Sequence, residues 1–339
     1  MEKYEEELRY WSRQGCLWRD LKGKTVLISG ASGMIGKCLI DLLMMRQGIR
    51  VIAISRNEET ARRRFEAYWD SRYFQYISCD INGSVPECGS VDYVIHAASN
   101  THPQLYSQDP IGTIASNVFG TKNLLDYGVS HDVCRFCFVS SVEIYGENRG
   151  DREKFDESYL GYLDCNTLRA GYPESKRLGE ALCNAYQEKY GMDFVIPRLS
   201  RVYGPTMLQS DSKAISQFVK KAARGEDIIL KSEGNQKYSY TFVTDAAAGI
   251  LYTMIMGNSK EAYNVVDEES DIALKDLADN LAKISGSRVL YQLPEETERK
   301  GYSTATRAML EGKKLADLGW RARVHMDEGL LCTVESWKE

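Results

Sequence analysis

A chain of 339 residues that is 43% hydrophobic carries enough apolar side chain for one large domain or two coupled ones. With 48 acidic against 43 basic residues the formal net charge is -5, and no Lys/Arg block is denser than Arg62-Arg63-Arg64, which excludes the broad basic footprint of a nucleic-acid binder. No apolar run approaches the roughly 20 residues of a bilayer span, no signal-peptide pattern is present, and the nine cysteines show no secreted-type framework, so we expect a cytoplasmic protein with neither a membrane nor a nucleic-acid partner.

Residues Met1 to Lys22 place Tyr4, Leu8 and Trp11 at helical spacing, which predicts a short amphipathic helix docked on the main body. Thr25-Val-Leu-Ile-Ser29 reads as a short apolar strand, followed by Gly30-Ala-Ser32-Gly33-Met34-Ile35-Gly36 and an apolar helix from Cys38 to Met45 ended by Gly48. In that order, the glycines let backbone approach a pyrophosphate while the helix N-terminus offers free N–H groups and a positive dipole end. A dinucleotide cofactor is therefore expected at Gly30, Ser32, Gly33, Met34, Ile35 and Gly36.

The next strand, Val51 to Ile54, should end at the adenosine ribose, where a carboxylate commonly binds the hydroxyls of NAD. Here the residues are Ser55-Arg56-Asn57. A hydroxyl and a guanidinium suit the 2'-phosphate of NADP, yet Arg56 stacks equally well on adenine with NAD bound, so NAD and NADP both stay open. Tyr76 to Ile81 reads as a strand whose end, Asp80 and Ile81, either meets the adenine or forms a surface turn. Val91 to Ser99 is a further strand; the small Ala97, Ala98 and Ser99 permit close approach of the cofactor, and His96 reads as structural.

A polar loop from Asn100 to Asp109 leads into a helix from Pro110 to Tyr127, and Arg135 to Val139 gives a strand ending at Ser140-Ser141-Val142-Glu143. Cys134 and Cys137 would face opposite sides of that strand, which argues against a redox pair or a metal site, and no metal is expected. Strands alternating with helices imply the α/β class, a parallel doubly wound sheet with ligands at the carboxyl ends of its strands. Past Gly204-Pro205 the pattern changes to mixed α+β pieces: a helix from Ile215 to Arg224, a strand from Ile228 to Leu230, a helix from Asp245 to Met256 and an extended run from Tyr263 to Val266.

Tyr172-Pro-Glu-Ser-Lys176 puts a phenol and an ammonium four residues apart on one helical face. A neighbouring cation favours phenolate, so the spacing predicts a tyrosine acid/base whose pKa is lowered toward neutrality.

Taken together, the glycines at 30, 33 and 36, His96-Ala-Ala-Ser99, Asn117-Val-Phe-Gly-Thr121, Ser141-x-x-x-Tyr145-Gly146, Tyr172-x-x-x-Lys176 and Arg198-Leu-Ser-Arg-Val-Tyr-Gly204-Pro205 resemble the extended short-chain dehydrogenases that modify nucleotide sugars. The resemblance runs from about Lys24 to Leu318-Gly-Trp320. Beyond the helical extension read over 1–23, it implies a Rossmann NAD(P)-binding domain over 24–201 and a smaller α+β region over 202–339 that mainly holds a nucleotide-diphosphate sugar, with the chain recrossing between regions. It further implies that Tyr172 takes a proton from a sugar hydroxyl, usually at C4, as hydride passes to the nicotinamide. Ser141 would share the hydrogen bond to that hydroxyl, Lys176 would hold the cofactor ribose, and Thr101, Tyr106, Ser141, Val142, Arg201 and Tyr238 would line the sugar-nucleotide side. A homodimer through the helices near Pro110 to Tyr127 and Tyr172 to Lys189, packed as a four-helix bundle, is the family's habit.

Glu143 stands where 4,6-dehydratases and UDP-glucuronate decarboxylases also carry glutamate, which makes it the candidate for proton transfer at C5. Dehydratases usually have aspartate just before it; Val142 cannot donate a proton, so simple 4,6-dehydration is disfavoured. Pro103-x-x-Tyr106, Arg169-Ala-x-Tyr172 and Gly204-Pro205-x-Met207 resemble the decarboxylase branch most closely. Two positions depart from it: Tyr238 replaces an arginine, and Arg201 replaces an asparagine. The resulting expectation is an epimerase/dehydratase-type enzyme working through a transient 4-keto sugar. A uronic-acid decarboxylase, an NADPH-dependent 4-ketosugar reductase and a catalytically silent dinucleotide-binding regulatory protein are its rivals.

Overall fold

The computed structural model describes residues 1–101, 108–292 and 306–338. Its organising element is an eight-stranded, all-parallel sheet. Along the sheet β1 (Thr25–Ser29) lies between β2 (Arg50–Ser55) and β4 (Tyr93–His96); β3 (Phe74–Ser78) closes one edge. On the other side come β5 (Arg135–Phe138), β7 (Phe194–Leu199) and β11 (Glu261–Val265), with the two-residue β6 (Ser140–Ser141) continuing beside β7. Order 11-7-5-4-1-2-3 reverses direction between β1 and β4, and that reversal is where an open α/β sheet leaves a crevice for a dinucleotide.

All five residues of β1 are buried, as a strand covered on both faces requires. Alternate residues feed two separate cores. Val26 and Ile28 face a layer that includes α1 (Glu2–Ser12) and α3 (Met34–Met44), whereas Leu27 faces Leu124, Leu125 and Cys183 on α5 (Pro110–Ser130) and α6 (Gly171–Tyr190). The helix α8 (Val243–Met256), apolar almost all round, also packs against α3 although it lies far along the chain.

Several boundaries differ from the sequence reading for identifiable reasons. The N-terminal stretch forms two helices, α1 and α2 (Gly15–Arg19), and is pinned by polar contacts as well as apolar ones: Tyr4 donates to Asp41 at 2.7 Å and the Trp11 indole to Asp245 at 3.0 Å. Helix α3 begins at Met34, four residues earlier than the apolar pattern suggests, because Gly33 is its N-cap and Gly36 is already helical. The strand expected from Tyr76 to Ile81 is Phe74–Ser78, and Asp80 beyond it accepts from Asn82 N at 3.0 Å in a surface turn.

The remaining sheets are small. β10 (Lys237–Phe242) runs parallel to β8 (Arg201–Tyr203) and β14 (Arg307–Ala308) and antiparallel to β12 (Asp271–Ala273), while β9 (Ile228–Leu230) pairs with β13 (Val289–Tyr291). Among the described residues no helix is long and apolar enough to cross a membrane.

Candidate active site

The glycine turn is built for close approach. Gly30 has φ +70, and a Cβ there would lie 2.6 Å from the Ala98 backbone; on Gly36 it would meet the Gly30 carbonyl at 2.4 Å. No side chain fits at either position, so β1, α3 and the end of β4 frame a bare-backbone cradle at the sheet's reversal, capped by Gly33 at the N-terminus of α3. A dinucleotide's pyrophosphate fits this cradle. At the far end of β2 the Ser55 hydroxyl lies 3.3 Å from Tyr76 OH, Arg56 is exposed, and Asn57 caps α4 (Glu58–Arg64) by accepting from Thr60 N. Ile81 is buried in the core against Gly120. His96 is fully buried between Ser29 Oγ at 2.7 Å and Thr121 Oγ1 at 3.0 Å, and burial, with Lys176 nearby, pushes its pKa far down, as fits a structural neutral imidazole.

Beyond β6 the chain tightens into a single turn, Val142–Tyr145, that Ser141 caps by accepting from Glu143 N at 3.3 Å. The turn presents Ser141 and Glu143 at the carboxyl end of the sheet and buries Val142. Tyr172, on the first turn of α6, is buried with the Ser141 and Ser99 hydroxyls beside it, so side chains from two other stretches meet its phenol. Ser99 in turn donates to Asn117 Oδ1 at 2.7 Å; Asn117 donates to Ser175 at 2.8 Å, and Ser175 donates to the Tyr172 carbonyl at 2.8 Å. That buried chain couples α5 to α6 beneath the site.

One expectation is corrected here. Tyr172 is not acidified by Lys176: burial raises its pKa to about 12, with the Ser141 hydrogen bond opposing. The Lys176 ammonium instead donates to the Val139 carbonyl at 2.9 Å beside the Phe138 ring, and its own pKa is pushed down by burial to about 8. Desolvation of both groups outweighs the helical spacing from which a lowered tyrosine pKa was predicted.

Glu143 sits in a cationic bracket. Arg169 Nη2 lies 2.7 Å from Glu143 Oε2, and Arg201 Nη2 lies 3.5 Å from Oε1. Burial alone would raise the carboxyl pKa, but Arg169 and Arg201, joined by the more distant Lys213, hold it below the ordinary value. The Arg201 guanidinium also lies 3.8 Å from the centre of the Tyr238 ring. A cavity of about 100 Å³ opens beside Glu143 and Arg169. Thr101 lies 3.3 Å from Lys213 Nζ, which is also 3.3 Å from Asp211, and Tyr106 lies outside the described residues. Cys134 is exposed just before β5, and Cys137 is buried within it.

Sequence reading missed Arg169 and Lys213 as members of this cluster. Arg169 carried a signal, since it stands three residues before Tyr172 in a motif already noted, whereas Lys213 carried none.

A bare glycine cradle at a sheet reversal, with serine, tyrosine and lysine gathered at the neighbouring strand ends, defines a dinucleotide-dependent enzyme of the short-chain dehydrogenase class. The model of the NAD dependent epimerase/dehydratase family matches residues 26–266, and the chain belongs to that family. Among its relatives, UDP-glucuronic acid decarboxylase 1 of Danio rerio is 30% identical over 315 residues, covering 92% of this chain and 72% of the relative. UDP-glucuronic acid decarboxylase 3 of Arabidopsis thaliana is 28% identical over 314 residues, covering 92% and 89%. The fold matches the crystal structure of a dTDP-glucose 4,6-dehydratase from Streptomyces venezuelae with NAD and TYD bound (TM-score 0.81, 24% identity, 92% and 96% covered). It also matches a UDP-glucuronic acid 4-epimerase from Bacillus cereus in complex with UDP-glucuronic acid and NAD (TM-score 0.79, 20% identity, 93% and 99% covered).

Proposed function

We propose that this enzyme oxidises a nucleotide-diphosphate sugar at C4 to a transient 4-keto sugar and then completes the cycle by proton chemistry at C5 or C4. The observation that carries this reading is the gathering of Ser141, Tyr172 and Glu143 beyond β6, with Ser99, next to Ala98 of the glycine cradle, beside Tyr172. The cradle residues Gly30, Ser32, Gly33, Met34, Ile35 and Gly36, with Ala97 to Ser99, would hold the dinucleotide, which when bound accepts and returns a hydride. Tyr172 takes the proton of the sugar hydroxyl and Ser141 aligns that hydroxyl. Because burial holds the phenol's pKa up, taking that proton requires a positive charge beside it, which the oxidised nicotinamide of a bound dinucleotide would supply. Lys176, on the same helix one turn on, would hold the nicotinamide ribose.

A carbonyl at C4 acidifies the hydrogen on C5 and weakens a carboxylate attached there. Glu143, kept ionised by Arg169 and Arg201, is in the protonation state a base at C5 needs. Val142 offers no acid for a departing C6 hydroxyl, which speaks against simple dehydration. Decarboxylation of a nucleotide-linked uronic acid is the second reading, supported by the relatives' activity and by two guanidiniums at the C5 end of the site.

Glu143→Gln separates these outcomes. In deuterated water, a panel of UDP-, dTDP-, CDP- and GDP-sugars should give wild-type product labelled at C5, while the variant still reduces bound cofactor but stalls at the ketone. Carbon dioxide release selects the decarboxylase; a C4-inverted product without C5 label removes Glu143 from the chemistry, and wild-type turnover by the variant does the same.

Two further assignments belong to this proposal. The cofactor is NAD or NADP according to what Arg56 meets. The oligomer is a homodimer through α5 and α6, supported by the large apolar side chains left exposed there, Ile111, Phe119, Leu178 and Tyr190. A monomer by light scattering at micromolar concentration would refute it.

A further inference from the structure

Arg201 stands opposite Tyr240 in the parallel pairing of β8 with β10, and Tyr238 lies two residues earlier on the same face of β10. That diagonal places a long side chain from one strand over the ring of the next. The Arg201 guanidinium carbon is accordingly 3.8 Å from the Tyr238 ring centre, while its Nη2 reaches 3.5 Å from Glu143. Tyr238 is itself buried, 6% exposed, so the ring is a fixed platform, and a stacked guanidinium keeps its planar fork aimed in one direction.

Glu143 is thus bracketed by Arg169 on one carboxylate oxygen and Arg201 on the other. If C4 of the sugar meets Ser141 and Tyr172 and C5 meets Glu143, whatever C5 bears, or the phosphate beside it, lies within reach of Arg201. A neutral hydroxymethyl gains nothing from a guanidinium there, whereas an oxyanion matches its fork and charge.

We propose that Arg201, held by the Tyr238 ring, is a specificity residue that reads an anionic group of the substrate beside Glu143: a carboxylate on C5 or a phosphate of the nucleotide. The assignment rests on the 4-keto reading for the orientation of the sugar. Arg201 is the reader, and Tyr238 is a positioning residue that acts through it.

Binding of UDP-glucuronate, UDP-glucose and UDP to the cofactor-loaded enzyme tests this by calorimetry. Arg201→Asn should weaken UDP-glucuronate by about ten- to a hundredfold, the scale of one hydrogen bond to a charged group. Loss confined to UDP-glucuronate identifies the sugar carboxylate as the group read; equal loss for all three identifies the phosphate. Unchanged affinity for every probe, or a wild type that binds none of them, overturns the proposal. Should Arg201→Asn fold poorly, Arg201→Lys keeps the charge but loses the fork and the stack, and the same loss is expected. Tyr238→Phe keeps the ring and should lose less affinity for UDP-glucuronate than Tyr238→Ala, which should raise KM as Arg201→Asn does. A Tyr238→Ala enzyme with wild-type KM removes the positioning role. Failure of the 4-keto reading would show separately, as absent cofactor reduction in a wild type whose Arg201→Asn variant still loses affinity.

Discussion

Replacing Lys176 with methionine should make the enzyme's stability less dependent on alkaline pH. Lys176 is 2% exposed, and burial, partly offset by Glu180, depresses its pKa from 10.5 to about 8. The unfolded chain therefore keeps a proton between those values that the native protein has released, and stability rises with pH wherever the unfolded state binds more protons. Between about pH 7.5 and about pH 9.5 the two-state linkage gives the wild type about 2 kcal/mol from this lysine alone, out of about 3 kcal/mol for the whole shift. Methionine has a similar length and no proton to lose, so Lys176→Met should lack that gain. Urea unfolding of both proteins at the two pH values, without added nucleotide, measures it as a difference of differences that cancels other titrating groups. If the wild type gains no more than the variant, the Lys176 ammonium is not desolvated in the folded protein and the argument from burial fails.

Tyr172→Phe should leave cofactor and nucleotide-sugar binding nearly unchanged while turnover falls by about 10² to 10⁴, the span of a missing acid/base; activity near wild type in a steady-state assay removes Tyr172 from the mechanism. Gly30→Ala should abolish cofactor retention and lower the melting temperature, because the added Cβ meets the Ala98 backbone at 2.6 Å in a residue already at φ +70; stoichiometric nucleotide released from the denatured variant would contradict the cradle. Arg56→Ala should weaken NADP far more than NAD if the guanidinium meets a 2'-phosphate, and equal losses by fluorescence titration would rule that contact out.

What the sequence determined by itself was local. Three consecutive apolar residues, Val26 to Ile28, before a glycine turn name a buried strand, and the turn's glycines name a backbone approach, because both depend on neighbours within a few positions. The Tyr172/Lys176 spacing likewise follows from helical geometry alone. Helix α3 was read four residues short because its first turn contains Gly36, a residue whose presence in a helix is set by the closeness of Gly30 rather than by propensity. Only the tertiary structure decided the sign of the Tyr172 shift, since desolvation depends on what covers a group and not on what stands four residues away. It alone also brought Arg169, Arg201 and Tyr238 to Glu143, from a single helical turn and two neighbouring strands. Contacts of that kind arise from strand pairing between segments dozens of residues apart, and no periodicity along the chain encodes their register.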